Sequence, residues 1–96
     1  MVYKLNLKTE AKTDIIDGFY WYERKSEGLG SRFVHAVEET LNHINKYPLH
    51  FQVKYNNFRQ GIIEKFPFVI IYRIFDDEII VFAVFPTKVN PKKKPQ

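Results

Sequence analysis

The residues with most chemical capacity in this 96-residue chain lie in its C-terminal half, where Arg59, Lys65, Arg73 and Lys88 accompany the phenol of Tyr72. Cations beside a hydroxyl are what a phosphate-binding surface needs, because fixed positive charge stabilises a crowded phosphorus centre and a hydroxyl can donate to an oxygen. The structural alternative is that strand Arg and Lys solvate an outer face. Arg73 sits between Tyr72 and Ile74, where an unpaired charge is costly, so an ion pair with Glu64 or Glu78 is the competing expectation. A second constellation is His35, Glu39 and His43, four apart as on one side of a helix. Each step of four drifts about 40° around the axis, and no fourth ligand is in sight, so a solvated helix face is expected and no metal. No glycine-rich phosphate loop or nucleophile motif occurs, which argues against an ATP-dependent or metal-dependent enzyme and implies no cofactor.

These side chains need a frame, and the stretch that supplies it is 66–75, Phe-Pro-Phe-Val-Ile-Ile-Tyr-Arg-Ile-Phe, turning at Asp76-Asp77 and returning as 78–85, Glu-Ile-Ile-Val-Phe-Ala-Val-Phe. Both arms are rich in β-branched and aromatic residues and the acidic pair is a turn signal, so an antiparallel hairpin at the centre of a sheet is expected. Upstream, Tyr3, Leu5 and Leu7 alternate with Lys4, Asn6 and Lys8 as in a half-buried strand. From Thr9, an expected N-cap, the spacing becomes helical through Ala11, Ile15, Phe19 and Tyr22, with acids early and Arg24 and Lys25 late, predicting a helix over 10–25. Gly18 within it costs roughly 1 kcal/mol relative to alanine. After a break at 26–31, Leu29, Phe33, Val37, Leu41 and Ile44 mark a second helix that Pro48 ends. Residues 51–55 alternate, Asn56-Asn57 signals a turn, and 58–65 is expected to be a strand with a bulge at Gly61.

The expected class is therefore α+β: an N-terminal strand, a two-helix hairpin, then three to four antiparallel strands, with the helices on one face of the sheet. A chain of this length closes one core, here assigned to 1–88, and 89–96 is too poor in apolar residues to pack, leaving a basic tail. Absence of cysteine removes disulfides and thiolate metal sites, and no run of eighteen apolar residues suggests a membrane span. A cytoplasmic location is expected. The net charge of +4 favours an anionic partner. Partner contacts are expected from Tyr20 and Trp21, since the run 19–22 spans more than one helical face, and from Lys65, Tyr72, Lys92 and Lys93.

The order of elements and several strings resemble the RelE/ParE superfamily of toxins from type II toxin-antitoxin systems, also called plasmid stabilisation proteins. The carriers are Ala11 with Asp14-Ile15, Trp21-Tyr22-Glu23, Gly28-Leu29-Gly30 with Phe33, and Pro48. Arg59, then 65–68 leading into 71–74, and the close at 84–91 complete the set. The resemblance implies a toxin neutralised by a cognate antitoxin, reaching operator DNA only through it, and acting either on DNA gyrase or as a ribosome-dependent mRNA endonuclease. In many members the closing strand ends in a histidine followed shortly by an arginine; Pro86 and Val89 stand there here. Proline transfers no proton and valine carries no charge, so a ParE-like toxin acting by binding is the expected function. The alternative is a nuclease with a rearranged set, Arg59, Arg73 and Lys88, and a further one is a disarmed antitoxin-binding regulator.

Overall fold

The computed structural model describes residues 3–87. Its elements run β1 (Lys4–Leu7), α1 (Thr9–Lys25), α2 (Leu29–Lys46), a single 3-10 turn (Pro48–His50), β2 (Val53–Tyr55), β3 (Phe58–Ile62), β4 (Phe68–Phe75) and β5 (Glu78–Pro86). The five strands form one sheet in the order β1-β5-β4-β3-β2. β2 to β5 are antiparallel neighbours, whereas β1 lies parallel to β5, Lys4 opposite Glu78 and Leu7 opposite Val81, so the sheet is mixed. Successive strands joined by short turns pair antiparallel. The parallel pair needs a long crossover, and the helical hairpin supplies it.

Alternation fixes the two faces of the sheet. Ile70, Tyr72, Ile79, Val81 and Val84 face the helices and, with Ala11, Phe33, Val37 and Ile44, make a core of almost fully buried side chains. α1 lies over β5 and α2 over β3. At α1's midpoint Gly18 is buried, and a methyl there would run into the Phe33 ring. That contact offsets the helical cost of glycine, because it lets Phe33 sink between the helices and the aromatic pair Phe66 and Phe68. The helices meet through Gly28, at φ +86°, and Gly30. Both backbone N–H groups donate to the Glu23 carboxylate at 2.9 Å, so one acid on α1 satisfies two orphan donors at the start of α2.

Several local expectations are corrected. Thr9 is the first residue of α1 and not its N-cap; Lys8 holds that position in extended backbone and makes no side-chain cap bond. β3 ends at Ile62 instead of running to Lys65, whose φ of +72° takes it out of strand geometry. Gly61 is no bulge: it pairs in register with Ile70, and a Cβ on it would stand 3.0 Å from the Ile44 side chain. The irregularity lies in the long hairpin, where Tyr72 opposes Val81 and Ile71 opposes Ala83, leaving Phe82 as an extra residue. The expected tail, 89–96, lies outside the described residues.

Candidate functional site

The long hairpin divides the candidate residues between two faces. Arg59 pairs with Tyr72 across β3 and β4, so both point towards the helices, and Arg73, next along the strand, points away from them. Tyr72, expected as a partner contact, is instead fully buried, and its hydroxyl donates to the Pro48 carbonyl at 2.7 Å. Burial pushes its pKa up to about 12, despite the opposing pull of the Arg59 charge. This phenol is an anchor that ties the 3-10 turn to the sheet. Arg59 serves the same segment, its Nη1 donating to the Phe51 carbonyl at 2.6 Å. The ion pair expected between Arg73 and Glu64 or Glu78 is not formed; Glu78 instead accepts from the Asn6 side chain. Arg73 lies over the rings of Phe58 and Phe75, at 5.2 and 4.9 Å. Lys88, Lys92, Lys93 and Val89 lie outside the described residues.

The structure thus places Arg59 and Arg73, two of the three cations of the rearranged nuclease set, on opposite faces of the sheet. One arginine is committed to a main-chain carbonyl under the helices and the other stands on the opposite surface. In the histidine row His35 and Glu39 are 3.6 Å apart and highly exposed, so their pairing contributes little. Among the described residues no group of three or more His, Cys, Asp or Glu could hold a metal ion. No helix there is long and apolar enough to cross a membrane.

Two surface features remain. Along α2 runs a groove of about 1200 Å³ whose walls include Leu29, Arg32, Ala36, Phe51, Ile62 and Phe66, with Lys65 at its margin. Among the described residues β2 pairs only with the start of β3, through Val53 opposite Arg59, and beyond Gln60 no described strand lies on that side of β3. On α1, Tyr20 and Trp21 are 57% and 52% exposed, with Lys25 over the indole ring, while Phe19 and Tyr22 turn inward. Tyr20 and Trp21 border a smaller hollow that reaches Asp14, Phe68 and Pro86.

Asp14 was legible only as part of a recurring string, yet it has a defined task. β1 stops at Leu7, opposite Val81, so beyond that point the backbone of β5 has no strand partner on that side among the described residues. The Asp14 carboxylate accepts the Val84 N–H at 3.0 Å and takes over. Desolvation raises its pKa above the usual 3.8, more than the Val84 hydrogen bond lowers it, with Asp17 and Glu10 adding to the rise.

A helical hairpin laid over one face of a five-stranded mixed sheet defines a small α+β domain. The chain belongs to the family of ParE toxins of type II toxin-antitoxin systems, whose model matches residues 5–91. The toxin of a chromosomal ParDE system from P. aeruginosa has the same fold, with TM-score 0.83 and 14% identity over 91% of this chain and 98% of that one. A chain of the RelBE2 toxin-antitoxin complex of Mycobacterium tuberculosis superposes with TM-score 0.60 and 15% identity over 90% and 99%. A conserved hypothetical protein of Helicobacter pylori gives 0.56 and 24% over 90% and 94%. At these identities the likeness establishes the fold. No curated relative matches the chain in sequence.

Proposed function

We propose that this toxin disables its target by binding, as a ParE-like inhibitor of DNA gyrase, and is neutralised by a cognate antitoxin segment seated in the groove along α2. The observation that carries the first half is the opposed orientation of Arg59 and Arg73 together with the burial of the Tyr72 hydroxyl. Metal-independent RNA cleavage needs a base, an acid and a cation around one phosphate. Here the hydroxyl is sealed in the core, one cation is occupied beneath it, and proline ends the closing strand where a proton donor would serve.

The second half rests on the groove. A partly apolar channel beside that strand margin suits an extended segment, which would add backbone hydrogen bonds to β3 and place side chains against Leu29, Ala36 and Phe66. The ParDE and RelBE2 neighbours come from toxin-antitoxin systems, which supports a partner of that kind. The experiment is a supercoiling assay with purified gyrase, run beside a translation reaction in which mRNA ends are mapped. Inhibited supercoiling with intact message is the expected result; ribosome-dependent cuts that vanish in Arg73→Ala would replace this reading with the nuclease one.

A further inference from the structure

The face of the sheet turned away from the helices carries a feature distinct from the groove along α2. Arg73 leaves β4 between Phe58 on β3 and Phe75 on its own strand, and its guanidinium lies over both rings. Phe58 in turn meets Phe82 edge-on at 5.1 Å and Tyr55 at 5.4 Å. Phe82 reaches this face because it is the extra residue of the β5 bulge, standing outward beside Ala83. Lys8 lies over the far side of the group, 5.0 Å from the Phe82 ring. The Nε of Arg73 is buried, and among the described residues no acceptor reaches it. Nor does any described carboxylate pair with the guanidinium.

An arginine held this way is costly to the isolated fold, since a desolvated donor without an acceptor is a net loss. It is also preorganised: aromatic faces hold the planar group, leaving its terminal nitrogens as a fork suited to two parallel hydrogen bonds to one oxyanion. The surroundings decide which oxyanion. A nucleic acid strand would meet repeated phosphates and needs a row of cations. This face offers Arg73 with Lys4 and Lys8 at the β1 margin, against Asp76, Asp77 and Glu78 at the hairpin turn, so its charges nearly balance. What it offers besides is apolar surface at Tyr55 and Phe75, 45% and 43% exposed, beside the rings of Phe58 and Phe82. A lone arginine within an aromatic ring of contacts is the pattern of a protein-binding hot spot.

We infer that the outer sheet face centred on Arg73 is a protein-docking site for a segment that brings one Asp or Glu carboxylate flanked by apolar side chains, which the guanidinium grips between Phe58 and Phe75. The site consists of this chain's own side chains and stands whether or not gyrase is the target. It is separate from the groove along α2.

The test uses the whole chain, labelled with nitrogen-15, and follows the Arg73 side-chain N–H signal, identified among four arginines by its loss in Arg73→Lys. The probe is 3-phenylpropionate, a carboxylate joined to an apolar ring, with 3-phenylpropanol as the uncharged control and an oligothymidylate as the nucleic-acid competitor. A saturable shift with the acid, little with the alcohol, and binding weaker by about tenfold or more in Arg73→Lys is the expected outcome. Equal response to the alcohol would reduce the site to an apolar patch and overturn the proposal, as would an unmoved Arg73 signal. Tighter, steeply salt-dependent binding of the oligothymidylate would overturn it in favour of a nucleic-acid face. Should Arg73→Lys fail to fold, Phe75→Ala, at an exposed ring, is expected to weaken the acid in the same direction.

Discussion

Removing one oxygen atom, by Tyr72→Phe, separates an anchoring phenol from a partner-binding one. The hydroxyl is wholly buried and donates to the Pro48 carbonyl at 2.7 Å, so the variant leaves a buried acceptor without its donor and keeps the ring packing. Such a loss costs about 1–3 kcal/mol. In a domain of this size that lowers Tm by roughly 4–8 °C per kcal/mol, and the urea midpoint should fall with an unchanged m-value. The alkaline limb gives an independent reading. The phenol titrates near 10.0 when unfolded and at about 12 when folded, so the folded state holds this proton more tightly. That stability is fully present below the unfolded value and is lost as pH rises through 10 towards 12. Two pKa steps correspond to at most about 2.7 kcal/mol, present in the wild type and missing from Tyr72→Phe. Subtracting the variant's pH–stability curve from the wild type's cancels the other tyrosines and lysines. Toxicity below the variant's melting range should be unchanged. A variant as stable as the wild type but unable to bind or inhibit would refute the anchoring role.

Other substitutions test the remaining contacts. Gly18→Ala, which would gain roughly 1 kcal/mol in a free helix, should instead destabilise by about 1–3 kcal/mol in chemical denaturation, because the new methyl meets the Phe33 ring. Asp14→Asn keeps an oxygen for the Val84 N–H and removes a charge whose folded pKa is raised. The wild type should therefore lose stability as pH climbs above 3.8 relative to the variant, which is at least as stable at neutral pH, whereas Asp14→Ala should cost about 1–3 kcal/mol at all pH. Glu23→Ala releases two backbone donors at the helix junction and should lower the thermal midpoint through a loss of about 1–2 kcal/mol. Trp21→Ala, at an exposed position, should change stability by no more than about 0.5 kcal/mol, so weakened antitoxin or gyrase binding in calorimetry would mark a contact surface.

The helices and the long hairpin were legible because each rests on a periodicity confined to its own segment. Leu29, Phe33, Val37, Leu41 and Ile44 advance at helical spacing, and two β-branched arms flank an acidic turn. What escaped belongs to contacts between segments. Gly61 suggests a bulge from the sequence around it, while its cause is Ile44, on the other layer. Phe82 carries no glycine to mark the real bulge, which follows from how β4 and β5 twist together. Placing Arg73 opposite Tyr72 needs only alternation along one strand. That Arg59 shares the Tyr72 side, away from Arg73, requires the register between β3 and β4. The missing ion pair of Arg73 was likewise invisible, because the ring of Phe58, on the neighbouring strand, joins that of Phe75 in the place expected of a carboxylate.

The parallel pairing of β1 with β5 has a bearing on synthesis. The first described strand adjoins the last, with Lys4 beside Glu78, so β1 must wait, unpaired, until β5, some seventy residues further on, has been made. A nascent chain released early, or cut before the final hairpin, has no way to complete its sheet.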